Sequence, residues 1–111
     1  MNFQEFKTSV PARELFGKLG LTEYLEVAES WTMLRTLVIQ FNNPWEGKFV
    51  QAVRRCDDTA SLGERVLLRA VCYATDFAWL ADELSEGKAW QKMDSADGEW
   101  RRAVAACIEA A

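Results

Sequence analysis

Three cysteines (Cys56, Cys72 and Cys107) and a complete absence of histidine limit the chemistry this chain can perform. Without an imidazole there is no Ser-His-Asp or Cys-His arrangement, in which a ring nitrogen takes the proton of the nucleophile. Nearly every mixed zinc site is excluded for the same reason. The cysteines are odd in number, far apart and without a CxxC pair, so neither a redox dithiol nor a disulfide framework is indicated. Cys56 and Cys107 fall on apolar helical stripes, which predicts buried thiols packed as small hydrophobes.

The carboxylates lead no further toward catalysis. Asp82 and Glu86, one helical turn apart, would suit acid-base or metal chemistry if a pocket enclosed them. No nucleophile motif accompanies them, and a solvated face is the plainer reading. The run Asp94-Ser95-Ala96-Asp97-Gly98-Glu99 invites comparison with a calcium loop. Aligned on Gly98, however, the first and last ligand positions of such a loop would be Met93 and Val104, neither of which binds calcium. Asp94 or Ser95 reads instead as the cap of a final helix. The six glycines match neither a Walker A nor a GxGxxG spacing. No catalytic, cofactor or metal residue is therefore assigned, and a non-enzymatic role is expected.

The elements that must position any surface are legible from their punctuation. Phe3, Phe6 and Val10 follow a helical spacing interrupted at Val10-Pro11, and Pro11 suits the first turn of a second short helix that stops at Gly20. Thr22 is read as the cap of a helix carrying Tyr24, Ala28, Trp31, Leu34, Val38 and Phe41 on one face, ending at Asn42-Asn43-Pro44. Asn43-Pro44-Trp45-Glu46 reads as the start of the next helix, over about 44 to 56, with Trp45, Phe49, Ala52, Val53 and Cys56 as its stripe. Ser61-Leu62-Gly63-Glu64 is a capping box that opens the longest predicted helix, about 62 to 86 and roughly 38 Å long. Its apolar residues cover about half the circumference, which makes it the expected central helix. Trp100, Ala103, Val104, Cys107 and Ile108 mark a last amphipathic helix. No segment alternates with period two. The expected fold is all-α: one helical domain over 1–111, a compact bundle of about four main helices around 62–86, with short N-terminal helical pieces beside it.

The chain has 111 residues, 50% hydrophobic and 27% charged, a composition that suits a soluble globule with its own core. Its N-terminus lacks the layout of a signal peptide and its apolar runs are far too short to span a membrane, so a cytoplasmic location is expected. The formal net charge is −4, which argues against direct binding to nucleic acid. A helix-turn-helix reading of the helices around 44–56 and 62 onward fails on the same ground: Leu62, Gly63, Glu64 and Arg65 would face the bases, behind Asp57 and Asp58. Charge is unevenly divided, with seven basic and six acidic residues over 1–56 but six basic and eleven acidic over 57–111.

Five tryptophans are present. Trp31, Trp45 and Trp100 sit on apolar stripes and are expected in the core. Trp79 lies with Leu68 and Cys72 at the edge of the polar side of the predicted central helix. Arg35, on the flank of an apolar face, is expected to pair with Asp76 or, second, Glu83. These features select a partner-binding surface of Leu68, Cys72, Asp76, Trp79, Asp82, Glu83 and Glu86, with Trp79 as the anchor. The expected function is a protein-interaction or regulatory module that presents this acidic face to a basic or nucleic-acid-binding protein, a look shared with inhibitors carried by mobile elements. Homo-oligomerisation is left open. The alternative is a helical ligand-binding protein or small enzyme with an apolar pocket lined by Trp and Phe.

Overall fold

The computed structural model describes residues 1–85 and 98–110. Among them are eight helices: α1 (Phe3–Thr8), α2 (Val10–Leu19), α3 (Thr22–Val27), α4 (Trp31–Asn42), α5 (Lys48–Thr59), α6 (Leu62–Ala74), α7 (Ala78–Leu84) and α8 (Gly98–Ala110). The described residues contain no strand, as the absence of period-two patterning predicts. None of these helices is long and apolar enough to cross a membrane.

Side-chain caps set several starts. Asn2 and Glu5 form a reciprocal capping box on α1, and Ser61 and Glu64 form another on α6. Ser9 ends α1 and begins α2: its hydroxyl donates to the Phe6 carbonyl at 2.6 Å and accepts from the Ala12 amide at 3.3 Å. The break thus falls at extended Ser9, and Val10 is already helical.

Two helices expected to be continuous are divided. The first is interrupted at Ala28–Ser30, where Ser30 is extended and its side chain caps a new helix by accepting from the Met33 amide at 3.1 Å. Tyr24 and Phe41 still meet across this break, ring centroids 5.5 Å apart. The second is the predicted helix 62–86, which stops at Ala74. Asp76 takes a left-handed backbone (φ 77°), and the Phe77 amide donates to the Cys72 carbonyl at 2.7 Å. The same closure ends α2, where Gly20 has φ 75° and the Leu21 amide reaches the Phe16 carbonyl at 2.8 Å. Both are Schellman-type stops sealed by a buried residue, Leu21 or Phe77.

Beyond this stop the chain folds back. Arg69 Nη2 donates to the Leu84 carbonyl at 3.3 Å although the two are 15 residues apart, a separation of about 22 Å along a straight helix. At 13 residues, α6 is about 20 Å long, so it does not span the 34 Å longest dimension of the fold. It is central nonetheless: Val66, Leu67, Leu68, Ala70, Val71, Cys72 and Ala74 are all buried, and it packs against α2, α5, α7 and α8. Trp100 lies over Gly63, where a Cβ would stand 4.0 Å from its ring.

Basic side chains close several helix C-termini. Lys7 donates to the Glu26 and Ala28 carbonyls at the end of α3, at 2.6 and 2.7 Å. Arg65 donates to the Asp57 carbonyl in the last turn of α5 at 3.1 Å. Arg35 spans two ends, Nε to Ala74 of α6 at 3.1 Å and Nη2 to Ala110 of α8 at 3.2 Å. With Arg69 on α7, four cations serve five helix ends, where unpaired carbonyls and the helix dipole favour positive charge.

Candidate partner-binding surface

The seven residues of α7 divide cleanly by face. Leu80 and Ala81 are buried, Ala78 and Leu84 half-buried, and Trp79, Asp82 and Glu83 exposed. Because residues three and four apart lie side by side on a helix, Asp82 and Glu83 flank Trp79 one turn along. The indole is 53% exposed. Asp76, also exposed, stands at the left-handed junction just before the helix. Glu83 accepts from Arg54 Nη2 of α5 at 2.8 Å, whereas Asp76 and Asp82 form no ion pair with another described residue. The surface thus offers one aromatic plate, two carboxylates without an ion pair among the described residues and one that shares an exposed arginine.

Four of the selected residues are brought to this surface: Asp76, Trp79, Asp82 and Glu83. Leu68 and Cys72 are not. Both are fully buried in α6, because the stop at Thr75–Phe77 separates α6 from α7 and removes the continuous helical edge on which they would have joined Trp79. Burial pushes the Cys72 thiol far above its ordinary range, so it remains protonated. Glu86 lies outside the described residues, as do Asp94, Ser95 and Asp97 of the calcium-like run. Among the described residues no group of three or more His, Cys, Asp or Glu could hold a metal ion.

Arg35 does not pair with Asp76 or Glu83. Its guanidinium turns to the two backbone carbonyls at the ends of α6 and α8, which answer the same need to compensate a half-buried cation. As expected, Cys56 and Cys107 are buried, and burial raises both thiols above their ordinary value. The helix that would read DNA in a helix-turn-helix is α6, most of whose residues are buried in the core.

Of the three tryptophans expected inside, Trp31 and Trp100 are half-buried, with Trp31 packed 4.6 Å from Phe6 and 5.1 Å from Phe3 between ring centroids. Trp45 is 95% exposed. The expected helix start at Asn43-Pro44 forms a turn instead, and α5 begins only at Lys48. Asn43 has φ 43° and Gly47 φ 63°. The Asn43 carbonyl accepts the Glu46 and Gly47 amides at 2.8 and 2.9 Å, its side chain accepts the Trp45 amide at 3.2 Å, and Asn42 Oδ1 accepts the amides of Phe49 and Val50. The asparagines cap the turn and α5, which leaves the indole outside.

A cleft of about 630 Å³ lies between α1, α2 and α3, bordered by Lys7, Val10, Arg13, Glu14, Leu25 and Glu26. It has no tryptophan or phenylalanine in its lining. A smaller hollow of about 330 Å³ between α2 and α5 reaches Cys56 beneath Lys18, Arg55 and Thr59. Comparison of the chain with protein-family models, with curated proteins and with solved structures found no match.

Proposed function

We propose that the chain is a non-enzymatic binding module whose α7 face engages a basic protein. The observation that carries this reading is a half-exposed Trp79 on the same face as Asp82 and Glu83, with Leu80 and Ala81 anchoring the opposite face of the helix in the core. Tryptophan supplies a large contact area at small entropic cost and is enriched among the residues that dominate interfaces. The surrounding carboxylates steer a cationic partner and speed its encounter. A nucleic-acid-binding protein fits this chemistry, because the acidic face competes for the cations that would meet phosphate. Its regulatory effect is occlusion, the mode of action suited to a small inhibitor of the mobile-element kind. Three buried free thiols suit a reducing compartment such as the cytoplasm.

Photo-crosslinking tests the reading. A photoreactive residue at position 79, and separately one at exposed Ile39 on α4 as a control, is introduced and irradiated in a lysate of the host cell. The expected result is a basic protein joined from position 79 but not from 39, with a yield that falls as salt rises. Equal products from both positions, or a yield indifferent to salt, would overturn it.

A further inference from the structure

Helices α5 and α7 lie side by side and run the same way. Phe49 in the first turn of α5 meets Phe77 at the start of α7, ring centroids 4.8 Å apart, and further along both helices Arg54 Nη2 donates to Glu83 Oε2 at 2.8 Å. Both side chains of that ion pair are half-exposed, at 52% each. Glu83 stands one turn beyond Trp79 on α7. A carboxylate beside the exposed indole therefore already holds a guanidinium, and that guanidinium belongs to the chain itself. Asp82, the other carboxylate a turn along from Trp79, has no ion pair with a described residue.

We propose that Arg54 is an intramolecular competitor on the partner-binding face, holding the Glu83 carboxylate in the place that an arginine of the basic partner takes on binding. This rests on the α7 reading above and adds to it a residue that decides which partners bind. An arginine arriving at Glu83 exchanges one exposed ion pair for another, and such pairs are weak and screened, so the exchange alone is close to neutral in free energy. Arg54 is moreover tethered within reach of Glu83, at a high effective concentration, and a single cation from solution displaces it poorly. A segment that also pairs with Asp82 and covers Trp79 makes contacts that Arg54 does not, and these drive the exchange. The displaced guanidinium swings into solvent and leaves no buried group unpaired, because the pair it breaks is exposed on both sides. The occupant is thus an arginine-rich segment with a cation for each carboxylate beside the indole, and the resident arginine discriminates against surfaces that offer an isolated charge.

Titration with a blocked hexa-arginine peptide, followed through the indole N–H resonance of Trp79 in nuclear magnetic resonance spectra, tests this. The resonance is assigned by its loss in Trp79→Phe. Arg54→Gln is expected to bind the peptide about two- to fivefold more tightly than the wild type, which is the worth of one exposed ion pair. Arg55→Gln removes the same charge from an exposed neighbour on α5 that has no ion pair with a described residue, so screening should hold its effect below about twofold. In a Glu83→Gln background the gain from Arg54→Gln should vanish. All three positions are exposed or half-exposed, and urea midpoints verify that the variants keep the fold. An Arg54→Gln protein that binds no more tightly than Arg55→Gln, or a gain that persists beside Glu83→Gln, would overturn the competition while a peptide-induced shift at Trp79 leaves the α7 surface standing. A Trp79 resonance that the peptide moves in none of these proteins would overturn both.

Discussion

Arg35 donates from Nε to the Ala74 carbonyl and from Nη2 to that of Ala110, so one guanidinium closes α6 and α8 together. Its planar fork supplies two donors in different directions, which an ammonium on a flexible stem does less well. Replacing it with Met, which fills the stem but carries no charge, is expected to lower the unfolding free energy by about 2 kcal/mol in urea titrations. Asp76→Asn should leave it within about 0.5 kcal/mol. An equal loss in both variants would restore the ion pair that the residue types suggest. The thiols make a second test at this scale. Burial raises all three above their ordinary value and keeps them protonated, and only the thiolate reacts quickly. Cys56, 6% exposed at the hollow between α2 and α5, is expected to label first in the native protein. Cys72 and Cys107 should label only as fast as the chain unfolds, and rapid native labelling of either would show its helix face misplaced.

The helix stops explain which elements were legible. Gly20 announces the end of α2, because glycine takes a left-handed backbone freely; Asp76 performs the same closure without that signature, so the periodicity of 62–86 reads straight through it. Asp76→Gly should therefore stabilise the fold by about 0.5 to 1 kcal/mol, whereas Asp76→Val, β-branched at positive φ, should destabilise it by at least about 1 kcal/mol. Chemical denaturation of the pair decides whether the stop at α6 is as described. The start of α6 was legible because a capping box is local. Its partner on α2 was not: Lys18 bonds Glu64 from 46 residues away. Lys18 and the Ser61 cap hold the Glu64 carboxyl below its ordinary range, and Glu64 holds Lys18 above its own. A lowered carboxylate pKa stabilises the fold above the ordinary carboxylate range, and that contribution is lost as pH falls through the depressed value. The raised lysine contributes below its ordinary pKa and loses its share as pH rises through the elevated one. Glu64→Gln, which keeps the cap geometry, should thus narrow the gap in urea midpoint between about pH 7 and about pH 3. An unchanged gap would place the acid sensitivity elsewhere.

Across the whole molecule, the all-α class and the central position of α6 follow from apolar periodicity, because a helix buried on most sides must be apolar on most sides. The distribution of charge does not follow from it. Lys7, Arg35, Arg65 and Arg69 turn to helix ends that meet only in the folded chain. Their charge is met by carbonyl oxygens within the fold and, for Arg69, also by the Asp57 carboxylate at 3.4 Å, while Asp82 and Glu83 of α7 remain exposed. The same folding decides the tryptophans: a stripe predicted Trp45 inside, but Asn42 and Asn43 build a turn that holds it out, while the stop at Asp76 buries Leu68 and Cys72 and leaves Trp79 exposed beside Asp82 and Glu83. The proposed function has Trp79 serve a partner and not the core. Its most direct test is competition, in which unlabelled wild type and Trp79→Ala each displace the crosslinked partner from wild-type protein, with the urea stability of both recorded. Trp79→Ala is expected to compete about thirtyfold less well, equivalent to about 2 kcal/mol at an interface anchor, while its stability stays within about 1 kcal/mol of the wild type. Equal competition by the two proteins, or a stability loss of about 3 to 5 kcal/mol as for a core cavity, would contradict it.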